Sequence, residues 1–161
     1  ASDVYKRQEM GRAVKPRSSQ IQRTRYSEKL SAAKAERLRP ALGRLTAFKP
    51  NEYEAMSMTG ESTSLFAAEA LLREGVKQVF VSLGDDGIVA ASDGEIIKLP
   101  CVTTEIANCT GCGDAATAAI IWAGVNGLGI AESASAAMKA AAMCAACPGA
   151  INPELCPELI S

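Results

Sequence analysis

The stretch VKQVFVSLG, residues 76–84, limits the fold more than any other part of the sequence. Val76, Val79, Phe80, Val81 and Leu83 form a nearly continuous apolar run rather than an alternating one, so a strand here is buried on both faces. A layered fold with helices on either side of a sheet provides that cover. The run ends at Gly84, and the carboxyl end of such a strand is a candidate ligand position.

The flanking patterns supply the layers. EKLSAAKAERLRPAL, from Glu28, sets Leu30, Ala33, Leu38 and Leu42 among strong helix formers and predicts a helix limited by Pro40. RLTAFKP predicts a short strand closing at Pro50, and NEYEAMSMTG a helical turn ended by Gly60. Ser62 or Thr63 caps a helix through LFAAEALLREG, with Leu65, Ala68 and Leu72 on one face and Gly75 as the stop. GIVAAS and EIIKLP flank Asp93 and Gly94, a strong hairpin signal. Two helices follow, from about Asp114 to Val125 and from Ala131 to about Cys147, separated by NGLG. Strands alternating with helices, then a hairpin, predict an α/β fold with a largely parallel sheet.

With 161 residues, 48% of them apolar, the chain is long enough for one ordinary domain with its own core. No apolar run approaches the roughly 18–20 residues of a membrane-spanning helix, and no signal-peptide pattern opens the sequence, so a cytoplasmic protein without a membrane partner is expected. Six cysteines then read as reduced thiols or metal ligands rather than disulfides. Histidine is absent, which removes serine or cysteine catalysis with a histidine base.

The formal net charge of -1 hides an asymmetry: residues 1–50 carry 13 Lys or Arg against 4 Asp or Glu, and the remainder 4 against 14. A basic arm can signal a nucleic-acid contact. Residues 1–27 show no sustained periodicity, however, and ASDVYKRQ looks like translated sequencing-adapter sequence. Residues 1–30 are therefore read as a disordered or foreign leader, residues 31–161 as the folded part, and no nucleic-acid partner is expected.

The chemistry concentrates in NCTGCGDAATAAII, residues 108–121. A helix start leaves backbone N–H groups unpaired and carries partial positive charge, so a glycine-containing turn there can hold phosphate oxygens at close range. Gly111 and Gly113 suit that turn. Asp114, expected at the first helical position, could accept the proton of an attacking hydroxyl while the amides neutralise charge on a transferred phosphoryl group. On spacing alone the same residues also fit a plain capped turn.

NCTGCGDAATAAII resembles the signature of the ribokinase-like carbohydrate kinases, the PfkB family, with Cys109 and Cys112 standing where relatives usually carry other small residues. KPNEYEA is similar to the family's Pro-Asn-x-x-Glu element, and VSLGDDG to the strand-end loop that cradles the nucleotide. All three occur in the family's order. The resemblance implies a ribokinase-like three-layer fold, Asp114 as catalytic base, Gly111, Cys112 and Gly113 as anion hole, and Ser82, Gly84, Asp85 and Gly87 as nucleotide-binding positions. It further implies that Asn51 and Glu54 organise a magnesium and phosphate network, and that Asn108 and Thr110 belong to a loop that can bind a monovalent cation such as K+. ATP and Mg2+ are the implied cofactors, and a nucleoside or sugar the small-molecule partner.

SAAKAERLRPALGRL, AFKPNEYEAMSMTG and INPELCPEL together look most like the pseudouridine kinase branch, which implies transfer to the 5′-hydroxyl of pseudouridine. A ribokinase-like sugar kinase and a non-catalytic nucleotide-binding remnant are the alternatives. The resemblance spans residues 31–161, the carboxyl-terminal half of a family member. The substrate-binding front half would then lie elsewhere, little turnover is expected from this half alone, and exposed sheet edges favour association into homo-oligomers.

Cys109-x-x-Cys112 and Cys144-x-x-Cys147 also form two CxxC pairs, the pattern of a tetrahedral zinc site. Their separation is longer than the usual ribbon spacing, and the second pair lies in a helix where small apolar packing explains it. No metal held by cysteine is expected.

Overall fold

The computed structural model describes residues 36–102 and 104–160. The leader and the first part of the predicted opening helix lie outside the described residues. Residues 36–38 are helical, and the chain then tightens into a 3-10 turn at Arg39–Arg44, where Pro40 occupies one of the first positions. Proline fits there because the first amides of a helix have no internal acceptor.

The elements that follow are strand β1 (Ala47–Phe48), helix α1 (Glu52–Thr59), helix α2 (Ser64–Arg73), strands β2 (Gln78–Ser82), β3 (Ile88–Ser92) and β4 (Glu95–Leu99), and helices α3 (Cys112–Val125), α4 (Ile130–Ala145) and α5 (Pro157–Ile160). Thr63 caps α2, its side chain accepting from the Phe66 N–H at 3.2 Å. Glu132 reaches back to the Gly129 N–H at 2.8 Å and closes the start of α4.

The four strands stand in the order β1-β2-β3-β4. β1 pairs parallel to β2, whereas β2 with β3 and β3 with β4 are antiparallel. The expected largely parallel sheet is thus corrected to a mixed one among the described residues. The reason is connection length: residues 83–87 and the Asp93–Gly94 turn are far too short for the crossover that a parallel neighbour requires.

Side-chain alternation divides the core into two layers, as the VKQVFVSLG run requires. Val79 and Val81 of β2 and Val89 and Ala91 of β3 face Ala55 and Met58 of α1 and Ala67, Ala68 and Leu71 of α2. Phe80 of β2 and Ile88 and Ala90 of β3 face the other way, onto Ala116 and Ile120 of α3 and Ala134, Ala137 and Met138 of α4. The result is a three-layer α/β/α sandwich. A third cluster joins Ala119 of α3, Ala136 and Ala140 of α4 and Ile160 of α5, so α3 and α4 meet through alanines. Helix α3 is apolar nearly all round, and Ile121 and Val125 on its outer side are 61% and 82% exposed.

Candidate functional site

The site begins where β1 and β2 end. The Pro50 carbonyl accepts from the Ser82 N–H at 3.1 Å and from Ser82 Oγ at 3.5 Å, and Asn51 bridges Ser82 in parallel register. Residues 49–51 therefore run beside the carboxyl end of β2, at the ligand-binding edge of the sheet. Asn51 then caps α1. Its Oδ1 accepts from the Glu54 N–H at 2.8 Å, and Glu54 Oε2 accepts from the Asn51 N–H at 3.0 Å. This reciprocal capping box, which the Asn-x-x-Glu spacing also encodes, fixes the orientation of both side chains.

The start of α3 is built by the loop that precedes it. The Ala107 and Asn108 N–H groups both donate to the Ala145 carbonyl, at 2.8 and 3.1 Å, which ties the loop to the end of α4. Asn108 Nδ2 donates to the Pro148 carbonyl at 3.1 Å, and its Oδ1 accepts from the Thr110 N–H at 3.0 Å. Gly111 follows with φ 90°, and a β-carbon there would drive into the Ala150 carbonyl oxygen and come 3.3 Å from Cys144 Sγ. Only glycine satisfies both the conformation and the space.

Gly111 is also the N-cap of α3, and no side chain caps that helix. Its first-turn amides at Cys112, Gly113 and Asp114 therefore open outward, apart from a long 3.5 Å contact from the Cys112 N–H to the Cys109 carbonyl. The helix begins at Cys112, so Asp114 is its third residue rather than its first. The left-handed turn at Gly111 starts the helix two residues earlier than expected. Asp114 stays exposed at the mouth, within the range of the helix dipole.

Lys49, a residue the sequence reading did not single out, connects these parts. It is half-buried, and a β-carbon on Gly113 would lie 3.8 Å from its Nζ. Burial lowers its pKa from the usual lysine value, against the opposing pull of Glu54 and, more weakly, Asp114. Both carboxylates thus act on the one ammonium electrostatically. Its signal in the sequence was a lone cation directly before Pro50-Asn51, at the carboxyl end of a strand.

The loop after β2 forms a 3-10 turn at Gly84–Asp86, with Asp85 exposed. Gly87 is held at φ 94°, and a β-carbon there would clash with the Leu99 carbonyl oxygen and lie 2.7 Å from the Pro100 carbonyl carbon. Its part is to seat the loop against the end of β4. Ser82 lies on the sheet edge shared with Pro50 and Asn51, and Gly84, Asp85 and Gly87 follow it in the loop.

The cysteines are all free thiols. Among the described residues no group of three or more His, Cys, Asp or Glu is placed to hold a metal ion. Cys144 is buried with its Sγ 3.6 Å from both the Thr110 and the Ala150 carbonyl oxygens, which share its single proton, while Cys147 donates to the Ile151 carbonyl at 3.6 Å. Burial pushes the Cys112 thiol up to about 11, helped by the neighbouring Cys144 and Cys109 thiols.

An uncapped helix mouth beside a lysine, at the carboxyl edge of a sheet within an α/β/α sandwich, is an arrangement suited to holding an anion. The sequence profile of the pfkB family carbohydrate kinases matches residues 7–156, so the chain belongs to that family. The match begins within the segment read above as a leader. The pseudouridine kinase of Escherichia coli K12 is 29% identical over 136 residues, covering 81% of this chain and 44% of its own length. The 1-phosphofructokinase of Haloferax volcanii is 33% identical over 90 residues, covering 53% of this chain and 30% of its own. A structure described as a candidate ribokinase II of E. coli in complex with ATP and Mg2+ superimposes with a TM-score of 0.67 at 25% identity, covering 76% of this chain and 41% of that one. The chain thus spans less than half the length of the curated relatives it matches.

Proposed function

We propose that this chain forms the nucleotide-binding half of a cytoplasmic kinase that transfers the γ-phosphoryl group of ATP to the 5′-hydroxyl of pseudouridine. The observation that carries the reading is the open mouth of α3, where uncapped amides at residues 112–114 stand beside Lys49 and Asp114. Those amides and the Lys49 ammonium neutralise charge on the terminal phosphate and on the departing ADP oxygen. The Asp114 carboxylate accepts the proton of the acceptor hydroxyl as its oxygen attacks phosphorus. Ser82, Gly84 and Asp85 border the nucleotide.

The donor set suits Mg2+: Glu54 presents a carboxylate oriented by its capping bond, and Mg2+ bound through it or its waters would neutralise phosphate charge. Carbonyls of the Asn108–Thr110 loop are the proposed ligands of K+, since both polar groups of the Asn108 side chain already have protein partners. The choice of pseudouridine rests on the AFKPNEYEAMSMTG and INPELCPEL segments and on the likeness to the E. coli enzyme.

The test is a titration with MgATP by calorimetry. The chain is expected to bind, and Lys49→Met to weaken binding by roughly 10- to 100-fold, the value of one charge-assisted hydrogen bond. Equal affinity in the two proteins would sink the site. Coupled ADP release with pseudouridine or ribose, in a chain completed by the front half of a relative, selects the acceptor. Faster turnover with ribose would favour the sugar-kinase reading.

A further inference from the structure

We infer that Cys109 and Cys112 form a reversible redox pair whose disulfide withdraws one amide from the phosphate site. The inference rests on the phosphate-site reading for its effect, but not for the bridge itself. The Cys112 N–H contacts the Cys109 carbonyl at 3.5 Å, with Gly111 at φ 90° and ψ -13° as the third residue. These are the marks of a type II turn, which brings its end α-carbons within 7 Å, inside the reach of a disulfide.

The two thiols are unequal. Cys109 is exposed, whereas Cys112 is half-buried, with its Sγ 3.9 Å from the Asn108 carbonyl oxygen. Cys109 is therefore the sulfur that an oxidant meets first, and Cys112, across the same turn, is the thiol that closes the bridge, slowly at neutral pH because its raised pKa keeps it protonated. With a hydroperoxide as oxidant, the Cys109 sulfur attacks one peroxide oxygen, the oxygen–oxygen bond breaks, and the other oxygen leaves as alcohol or water with the thiol's proton, which gives a sulfenic acid at Cys109. The Cys112 sulfur then displaces the sulfenic oxygen as water, and the sulfur–sulfur bond forms with net loss of two electrons and two protons from the thiols.

The consequence for phosphate is geometric. In the reduced turn the 3.5 Å contact is too long to satisfy the Cys112 amide, which remains available at the mouth of α3. A sulfur bridge draws the ends of the turn together and commits that amide to the Cys109 carbonyl. Bound phosphate holds the amide outward and opposes closure, so oxidation and nucleotide are antagonists by linkage.

The experiment treats the chain with hydrogen peroxide, blocks the remaining thiols with N-ethylmaleimide and maps bridges by peptide mass spectrometry, alongside MgATP titration before oxidation, after it, and after dithiothreitol. The expected result is a Cys109–Cys112 bridge, about ten-fold weaker MgATP binding, and recovery on reduction. MgATP present during oxidation slows bridging. Cys109→Ser, a change at an exposed position, abolishes both effects, whereas Cys101→Ser, also exposed, leaves them in place. A bridge to Cys144 instead, no bridge, or a bridge without effect on measurable MgATP binding overturns the inference. If the reduced chain fails to bind MgATP, the phosphate-site reading falls and the amide-withdrawal claim with it, while the bridge map still decides the pair.

Discussion

Lys49 lies against Gly113 at the mouth of α3, its Nζ 3.8 Å from where a β-carbon on that glycine would stand, and it is half-buried, with Glu54 and then Asp114 drawing on its ammonium. A cation desolvated in this way costs folding free energy, which an anion bound beside it would recover.

Replacing Lys49 by methionine should therefore separate stability from function. Its folded pKa lies below the unfolded value, so the penalty is fully present at pH values below the folded pKa and is lifted as pH rises through it toward the unfolded value near 10.5. Urea unfolding of the wild type should show stability from this group rising with pH in that alkaline window. The methionine variant should lack the rise and be at least as stable at neutral pH. A neutral-pH loss above about 1 kcal/mol would show that the attraction of Glu54 and Asp114 outweighs burial.

Glu54→Gln isolates the metal from the cap. Glutamine preserves the bond to the Asn51 N–H, so thermal stability should change by less than about 0.5 kcal/mol while the Mg2+ dependence of ATP binding weakens. Asn51→Ala removes the cap itself and should cost about 1 kcal/mol by chemical denaturation.

Asp114→Asn leaves the amides of α3 in place. MgATP affinity measured by calorimetry should stay within a few-fold of the wild type. In a chain completed by a relative's front half, phosphoryl transfer should fall by roughly 10²–10⁴-fold, the usual contribution of a general base. Unchanged transfer would remove Asp114 from that role.

Gly111→Ala should destabilise the fold by about 2–5 kcal/mol, because the left-handed backbone and the Ala150 carbonyl both exclude a β-carbon. Gly84→Ala is the comparison: its φ is +61° but nothing lies within 4 Å, so its cost should be about 1 kcal/mol. Denaturation midpoints of the two variants measure the difference.

The layers of the fold were legible because each rests on a local pattern. VKQVFVSLG announced a strand covered on both faces, Asp93–Gly94 announced the hairpin, and Gly60 and Gly75 ended helices where expected. Strand direction was not legible from alternation alone, since it turned on the brevity of residues 83–87. At the site, the helix after the glycine turn was readable, but its exact start depended on the backbone angle of Gly111. Asn51 and Glu54 were singled out for magnesium, yet their three-residue spacing also spelled a capping box. Lys49 carried no motif of its own; its importance comes from the approach of α3, 64 residues further along the chain, measured from Lys49 to Gly113.

The alanines between α3 and α4 have a bearing on how such a protein can change. Ala119, Ala136 and Ala140 let two helix backbones approach closely, and that approach aims the amides at the far end of α3. A leucine at any of these positions would pry the helices apart and swing the mouth away from Lys49. Substitutions that never touch a nucleotide could thus retune its affinity, so mutational tolerance along this seam should follow side-chain volume rather than distance from the phosphate.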